Sequence, residues 1–200
     1  MEISAPIVLF AASTAITPGP NNAMIMASGL NHGVRGSLPH FLGINIGFTM
    51  MVVFIGFGMG AVLEGIPILH RFIRIFGVLY LLYLAWLIAT TATSDLDHEP
   101  SKPLSFWQAA LFQWVNPKAW VMVTGAMSAY TSPAFNIYGQ VLMIASIFFV
   151  VGTPCSAVWM LGGVSLKQVL RAPKRQKAFN VIMALLLVIS ICPVVIELFN

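Results

Sequence analysis

Charged side chains are scarce in this sequence of 200 residues: Asp, Glu, Lys and Arg make up 8% of it, and hydrophobic residues make up 58%. Soluble domains carry about 25% charged residues, whereas the mean hydropathy here is +0.89. A soluble fold of this length needs more polar surface than this composition supplies. The lack of charge therefore excludes an ordinary soluble domain and predicts an all-α integral membrane protein with little mass outside the bilayer.

Cysteines and intramembrane carboxylates are also few. Cys155 and Cys192 both lie in apolar segments and indicate neither a disulfide framework nor a metal pair. All six acidic residues lie at joints or chain ends, and the sequence has no HExxH, Walker A or CxxC motif. We therefore expect no enzyme activity, no cofactor and no metal site. The net charge is +4, and most of the basic residues lie in short joints between apolar stretches. This distribution argues against a nucleic-acid-binding face.

Six apolar stretches, each close to the roughly 20 residues of a membrane span, alternate with turn-rich joints. The acidic joint from Ser94 to Pro103 divides the single transmembrane domain, 1–200, into halves of about 1–93 and 104–200. Because the first and fourth stretches are interrupted, five full spans with one re-entrant segment stay open as an alternative. The stretches cover residues 5–29, 39–63, 69–92, 106–129, 137–163 and 178–198.

Lysine and arginine are unevenly distributed among the joints, and this asymmetry predicts the orientation. The joints after the first, third and fifth stretches carry seven of these residues, whereas the remaining joint positions carry only Arg71 and Arg74. We therefore expect the odd-numbered joints in the cytoplasm and both termini outside it. The seven residues are Arg35, Lys102, Lys167, Arg171, Lys174, Arg175 and Lys177.

Two proline-containing breaks interrupt apolar stretches at equivalent places. One is Thr17-Pro18-Gly19-Pro20-Asn21-Asn22, and the other is Val115-Asn116-Pro117-Lys118. Proline removes a backbone donor and disfavours helix just before it. Unpaired backbone groups at bilayer depth are tolerated only where protein buries them or water reaches them. Both breaks are therefore predicted to face the inside of a helix bundle, where a ligand would account for them.

The two halves share one plan, in which three spans begin with a broken helix. Since three is an odd number, the second copy must be inverted in the membrane. Inverted repeats with broken helices are a transporter design that binds substrate at the repeat interface. We therefore predict six transmembrane helices in two inverted three-helix repeats, with helices 1 and 4 broken.

Lys118 is the one charged residue well inside an apolar stretch. An ion within the membrane is costly and usually faces a cavity or a partner, although a snorkelling lysine is the structural alternative. Two functional roles stay open for its ammonium group. It binds a substrate carboxylate, or it loses its proton when desolvated and couples transport to protons.

Uncharged polar residues at the breaks and at membrane depth complete the candidate substrate site. Asn21 and Asn22 follow Pro20 at the start of a half-helix, where capping and anion binding are both typical roles. Asn45, Gln113 and Asn116 suit substrate contacts and helix–helix hydrogen bonds about equally well. The predicted site consists of Pro18, Gly19, Pro20, Asn21, Asn22, Asn45, Asn116, Pro117 and Lys118.

Two further features have both a structural and a functional interpretation. His40 lies near the predicted cytoplasmic end of the second stretch, where a histidine is an interfacial residue or a proton shuttle. The pairs Gly43 with Gly47 and Gly56 with Gly60 form GxxxG motifs. These motifs serve either packing within the protomer or a homodimer.

The breaks also carry a family resemblance that covers essentially the whole chain. Thr17-Pro18-Gly19-Pro20-Asn21, with His32-Gly33 and Arg35-Gly36 after it, resembles the start of LysE/RhtB-type amino-acid exporters. Gly77 with Tyr80-Leu81-Leu82-Tyr83-Leu84, and Asn116-Pro117-Lys118-Ala119, fit the same family. Ala85-Trp86 and the entry from Lys102 to Trp107 are most similar to the branch that exports cysteine and O-acetylserine. The resemblance implies export from the bacterial cytoplasm across the inner membrane, driven by the proton gradient, along a pathway lined by the two broken helices.

We therefore predict a secondary transporter that exports a small amino acid or derivative, such as cysteine, O-acetylserine or a homoserine-like compound, by alternating access. Its expected partners are this substrate, protons as the coupling ion and the lipid bilayer. The half-helix ends would bind the substrate carboxylate, and freed backbone carbonyls at the breaks would bind its ammonium. A metal-ion exporter of related architecture, suggested by the eleven methionines, is the alternative, and a membrane-embedded enzyme is the third reading.

Overall fold

The computed structural model describes residues 5–59, 67–90, 102–132, 134–169 and 173–199. Within these ranges the chain is helical and contains no β-strand, which confirms the all-α prediction. The predicted joint residues 64–66, 94–101 and 171–172 lie outside the described ranges. The helices are α1 (Ala5–Ile16), α2 (Pro20–Phe54, continued by a π-helical turn Ile55–Met59), α3 (Pro67–Thr90), α4 (Phe106–Phe112), α5 (Pro117–Tyr130), α6 (Ile137–Val169) and α7 (Pro173–Phe199).

Two of the described helical segments, Pro20–Gly58 and Ile137–Leu166, are long and apolar enough to cross a membrane. Three shorter apolar helical segments accompany them, namely Ala5–Ile16, Leu81–Thr90 and Lys177–Ile189. Large apolar side chains point outward along these helices, for example Val150 on α6 and Ile189 on α7. Such an exterior suits contact with lipid, because hydrocarbon does not penalise exposed apolar surface.

The first joint differs from the loop expected between the first two apolar stretches. Helix α2 runs through residues 31–37 with a single kink at Gly33, where φ is 69° and ψ is −175°. This backbone conformation is almost restricted to glycine. The hydroxyl of Ser28 donates to that of Ser37 across the kink at 2.9 Å, and both serines are buried. One glycine therefore turns the chain here without a loop.

Both predicted breaks occur in the described chain. Helix α1 ends at Ile16 and α2 begins at Pro20, so Thr17, Pro18 and Gly19 lie between helices. In the second half, a 3-10 turn (Gln113–Val115) follows α4, and an extended Asn116 precedes α5. Proline fits the first position of α2 and of α5, since that position needs no backbone donor.

Helices α2 and α6 form the most extensive helix–helix contact, and the remaining elements pack around this pair. Helix α1 packs on α6, α4 packs on α2, and α3 pairs with α7. Small residues permit the close approaches: a Cβ on Gly47 would lie 2.5 Å from Ala110 Cα of α4, and one on Gly43 would overlap the carbonyl of Phe106. This GxxxG pair therefore packs against the chain's own α4.

Candidate functional site: a cavity between the two breaks

A cavity, named here the break cavity, lies where the two breaks meet the central helices α2 and α6. The empty space, counting its open mouth, is about 540 Å³. Its wall combines polar groups from the breaks with apolar side chains from α2, α5 and α6. The lining residues are Thr14, Ala15, Gly19, Asn21, Asn22, Ile44, Asn45, Phe48, Asn116, Lys118, Ala119, Met122, Phe148, Gly152 and Ser156.

Six of the nine residues predicted from sequence line this cavity, namely Gly19, Asn21, Asn22, Asn45, Asn116 and Lys118. The three prolines of the prediction, Pro18, Pro20 and Pro117, do not line it. Their part is to end or begin helices. The remaining wall residues lacked a sequence signal, because an apolar residue such as Phe48 or Phe148 looks like any other packing residue in a membrane helix.

Lys118 joins one break to the other. From the first turn of α5 its ammonium donates to the Thr17 carbonyl at 2.7 Å, to the Thr17 hydroxyl at 2.9 Å and to the Pro18 carbonyl at 3.2 Å. An ammonium group has three donors, so these three acceptors account for all of them. A Cβ on Gly19 would lie 2.6 Å from Lys118 Cδ, so glycine at position 19 leaves room for this side chain.

The backbone carbonyls of residues 14–18 all accept hydrogen bonds from side chains. The last carbonyls of a helix have no partner within it, and this end has acquired donors from three parts of the chain. Each carbonyl thus already accepts at least one hydrogen bond, and a carbonyl oxygen can accept two. Their role in binding a substrate ammonium stays a prediction. The donors are the Thr17 hydroxyl to Thr14 O, Asn22 Nδ2 to Ala15 O and Thr17 O, Trp159 Nε1 to Ile16 O, and Lys118 Nζ to Thr17 O and Pro18 O.

A reciprocal amide pair forms a second link between the breaks. Asn21 Nδ2 donates to Gln113 Oε1 at 2.8 Å, and Gln113 Nε2 donates to Asn21 Oδ1 at 3.1 Å. Gln113 is fully buried and also donates to the Ala109 carbonyl at 2.9 Å. This pairing satisfies a buried amide that would otherwise be costly, and it holds the start of α2 against the end of α4.

The two half-helices that begin at the breaks differ in their capping. Asn116 Oδ1 accepts from the Lys118 backbone N–H at 3.1 Å, so its own N-cap side chain closes the start of α5. Helix α2 has Gly19 as its N-cap residue and no side-chain capping bond. Its first backbone N–H groups, at Asn21 and Asn22, therefore begin α2 beside the cavity without a side-chain cap.

Asn45 and Ser156 supply polar oxygens on the opposite wall. The Ser156 hydroxyl donates to Asn45 Oδ1 at 3.0 Å, and Asn45 Nδ2 donates to the Phe41 carbonyl at 2.7 Å. Both side chains are buried. Beside them, the rings of Phe48 and Phe148 meet edge to face at a centroid distance of 5.3 Å. The cavity thus has a polar side and an apolar side, and no carboxylate among the residues that the structure describes lines it.

Trp159 was not predicted from sequence, and its bond to Ile16 O leads to a stability prediction. Replacing Trp159 with phenylalanine keeps most of the ring but leaves that carbonyl without its donor, so we expect a loss of about 1 kcal/mol in unfolding free energy. Thermal unfolding in detergent micelles measures it. Trp107→Phe is the control, because Trp107 is 71% exposed. Equal melting temperatures for the two variants would show that the bond is dispensable.

The fold and the cavity together define a class, that of polytopic helical membrane proteins with a ligand-sized space at broken helices. The family model described as LysE type translocator matches residues 12–196, and the chain belongs to this family of membrane transporters. The proteins called cysteine/O-acetylserine efflux protein from Escherichia coli strain K12 and from Shigella flexneri are 33% identical to it over 178 residues. The match covers 88% of this chain and 88% of each relative. No solved structure matches the chain.

Proposed function

We propose that this chain exports a small neutral amino acid or derivative, with cysteine and O-acetylserine as the first candidates, through the break cavity. The observation that carries the proposal is that one cavity is lined by both breaks and by Lys118. The printed name of the relatives supplies the two candidate substrates. Substrate binding at helix breaks is the established design of many secondary transporters.

The carboxylate of the substrate would bind at the start of α2. The uncapped N–H groups of Asn21 and Asn22 offer donors there, and a helix N-terminus favours an anion. Lys118 places a positive charge next to Gly19, on the same wall. The capped start of α5 is less suited, since Asn116 already occupies a backbone donor.

The ammonium of the substrate would bind at Asn45 and Ser156. Each has an oxygen on the cavity wall, and an amide oxygen accepts a second hydrogen bond. The backbone carbonyls of residues 14–18, which already accept side-chain hydrogen bonds, are the second candidate for this ammonium. The apolar wall at Ile44, Met122 and Phe148 would receive a short uncharged side chain. A basic side chain would find no carboxylate partner there, which favours neutral substrates.

The proposed architecture is six spans in two inverted three-helix repeats, about 1–93 and 104–200. The packing supports it, because α1 lies on α6 of the other half while α4 lies on α2. Each half also begins with an equivalent break. Alternating access would move the two halves against each other around the cavity. The basic joints would face the cytoplasm of a bacterial cell, with both termini on the outer side of the inner membrane.

Proton coupling belongs to the same proposal and concerns Lys118. Among the described residues its ammonium is the one charged group that lines the cavity, and it holds the end of α1 through three hydrogen bonds. Loss of its proton would remove a donor and the charge, and so loosen one break from the other. Proton-driven export would then appear in proteoliposomes as O-acetylserine movement that responds to an imposed pH gradient.

A cavity-filling substitution tests the export function. A Cβ on Gly152 meets no atom within 4 Å although the residue lines the cavity, so Gly152→Leu should fill the site without a packing clash. Gly139→Leu is the matched control on the same helix, because Gly139 is exposed and also has open space around it. We expect mass spectrometry of the medium to show one amino acid exported by the wild type and the control, and at least tenfold less by Gly152→Leu.

Two other outcomes would change the conclusion. Equal export by Gly152→Leu at matched membrane amounts would leave the family function standing and remove the cavity from the pathway. If the wild type changed no amino acid in the medium, metal tolerance of the same cells would be measured next. A changed metal tolerance would then favour the metal-ion exporter.

A further inference from the structure

A second cavity, named here the histidine cavity, lies between α2, α3 and the segment that leads into α4. Its empty space, counting the open mouth, is about 490 Å³. Five of its lining residues, Ser28, Asn31, His32, His40 and Lys102, carry polar side chains. Lysine and the two histidines are cationic or become so on protonation, and no carboxylate from the described part of the chain lines this cavity.

His40 is the most unusual of these groups. Its ring is only 2% exposed, and neither Nδ1 nor Nε2 has a hydrogen-bond partner within the described residues. Buried polar groups are nearly always paired, because an unpaired one loses its hydrogen bonds to water without replacement. An imidazole without partners therefore requires an explanation. His40 borders the adjoining cavity, and a turn of its ring, whose nitrogens are covered here, would let a ligand in that cavity accept its N–H hydrogen bond.

One helix lines both cavities. The first part of α2 contributes Asn21 and Asn22 to the break cavity, and it contributes Met24, Ala27, Ser28 and Asn31 to the histidine cavity. The spacing of the second set, i, i+3, i+4 and i+7, defines a single helix face. That face runs from the break cavity toward the joint that carries Arg35. A molecule bound at His40 would thus lie next to the half-helix on which the proposed transport site is built.

We propose that the histidine cavity is a second substrate site, which binds the carboxylate of the amino acid on the side of the basic joints before it reaches the break cavity. His40 and Lys102 donate to this carboxylate, and binding supplies the imidazole with the partner it lacks in this conformation. The inference rests on the proposed export function and orientation. The ligand class is a small amino acid with a free carboxylate.

Histidine labelling tests the proposal directly. The full chain is purified in detergent micelles with ¹³C- and ¹⁵N-labelled histidine, and the imidazole signals of His40 are assigned by their absence from His40→Gln. O-Acetyl-L-serine is then added at constant pH. We expect a saturable shift of the His40 signals, no shift with the carboxamide of the same compound, and a dissociation constant at least fivefold higher in Lys102→Gln. Lys102 is exposed, so Lys102→Gln should keep its fold even where the buried His40→Gln change disturbs folding.

Two further variants separate the sources of the signal. In Gly152→Leu the break cavity is filled. If O-acetylserine still shifts the His40 signals in this variant, the histidine cavity is a separate site; if it does not, the proposal of a second site is overturned. In the second variant, Asp95, Asp97 and Glu99 of the neighbouring joint are replaced by their amides. A response to O-acetylserine seen only in that variant would show that the chain's own carboxylates fill the cavity, and would overturn the proposal.

The export assay distinguishes the failure of this inference from the failure of the proposed function. If the wild type exports an amino acid while the His40 signals do not respond to it, the second site is wrong and the export function stands. If the wild type exports no amino acid, the function fails whatever the histidine signals do.

Discussion

Lys118→Ala should lower export at least tenfold while the protein still reaches the membrane. The substitution removes the one charge that the described residues place on the wall of the break cavity, and the three hydrogen bonds from Lys118 to the end of α1. Hydrogen bonds to charged groups contribute about 1.5–3 kcal/mol each, although water entering the open cavity would replace part of that. Export is measured by mass spectrometry of the medium at matched membrane amounts, and stability by thermal unfolding in detergent.

The control for the lysine change is Lys174→Ala, which removes an exposed lysine near the start of α7. Trp159→Phe is the second comparison, since it also removes a donor from the end of α1 but leaves the charge in the cavity. If Lys118→Ala and Trp159→Phe lose stability and export in parallel, Lys118 only anchors the break. Wild-type export by Lys118→Ala would remove it from both the binding and the coupling role.

Gly163→Ala should strongly destabilise the packing of α2 against α6. A Cβ at Gly163 would overlap the backbone carbonyl of Met26 and lie 3.0 Å from the backbone nitrogen of Leu30. A backbone cannot swing aside as a side chain does, so α2 and α6 would have to separate at their closest crossing. Overpacking of this kind costs about 1–3 kcal/mol and occasionally more. We expect a sharply lower melting temperature and little protein in the membrane.

The adjacent glycine is the matched control for this prediction. A Cβ at Gly162 would meet only the Met26 side chain, at 3.9 Å, which is an ordinary contact. Gly162→Ala should therefore accumulate and melt like the wild type. Equal stability of the two variants would mean that the helices cross farther apart than described. Gly29→Ala provides an independent repeat, because a Cβ there would overlap the carbonyl of Met160 from the other helix.

The sequence predicted the class of protein because the required physical signals are local. A charged fraction of 8% excludes a soluble fold. The breaks combine proline with glycine or asparagine, as in Pro18-Gly19-Pro20 and Asn116-Pro117, whereas the isolated Pro39 and Pro154 lie inside α2 and α6. Both breaks are present at the predicted places. His32-Gly33 and Arg35-Gly36 are typical turn residues, so the sequence predicts a loop at 31–37. In the fold, α2 continues through these residues and bends at Gly33.

The candidate site could be predicted only in part. Lys118 and the asparagines stood out because polar groups within apolar stretches are expensive and therefore noticeable. Nothing in the sequence distinguishes Gln113 from the other polar residues at depth, or Trp159 from the other aromatic residues. Their roles follow from the fold, which places Gln113 against Asn21 and Trp159 against Ile16. These pairs are 92 and 143 residues apart in the chain, and no local pattern links their partners.

The membrane class, the positions of the two breaks and the scarcity of charge between them can be predicted from the residues alone. These properties follow from composition and from backbone chemistry, which do not depend on distant contacts. Which hydrogen-bonding groups at the breaks have partners depends on the fold. The three donors of Lys118 bind the end of α1, Asn116 caps α5, and the start of α2 has no side-chain cap. The reason is physical: a hydrogen bond satisfies a group only when folding brings its partner within about 3 Å.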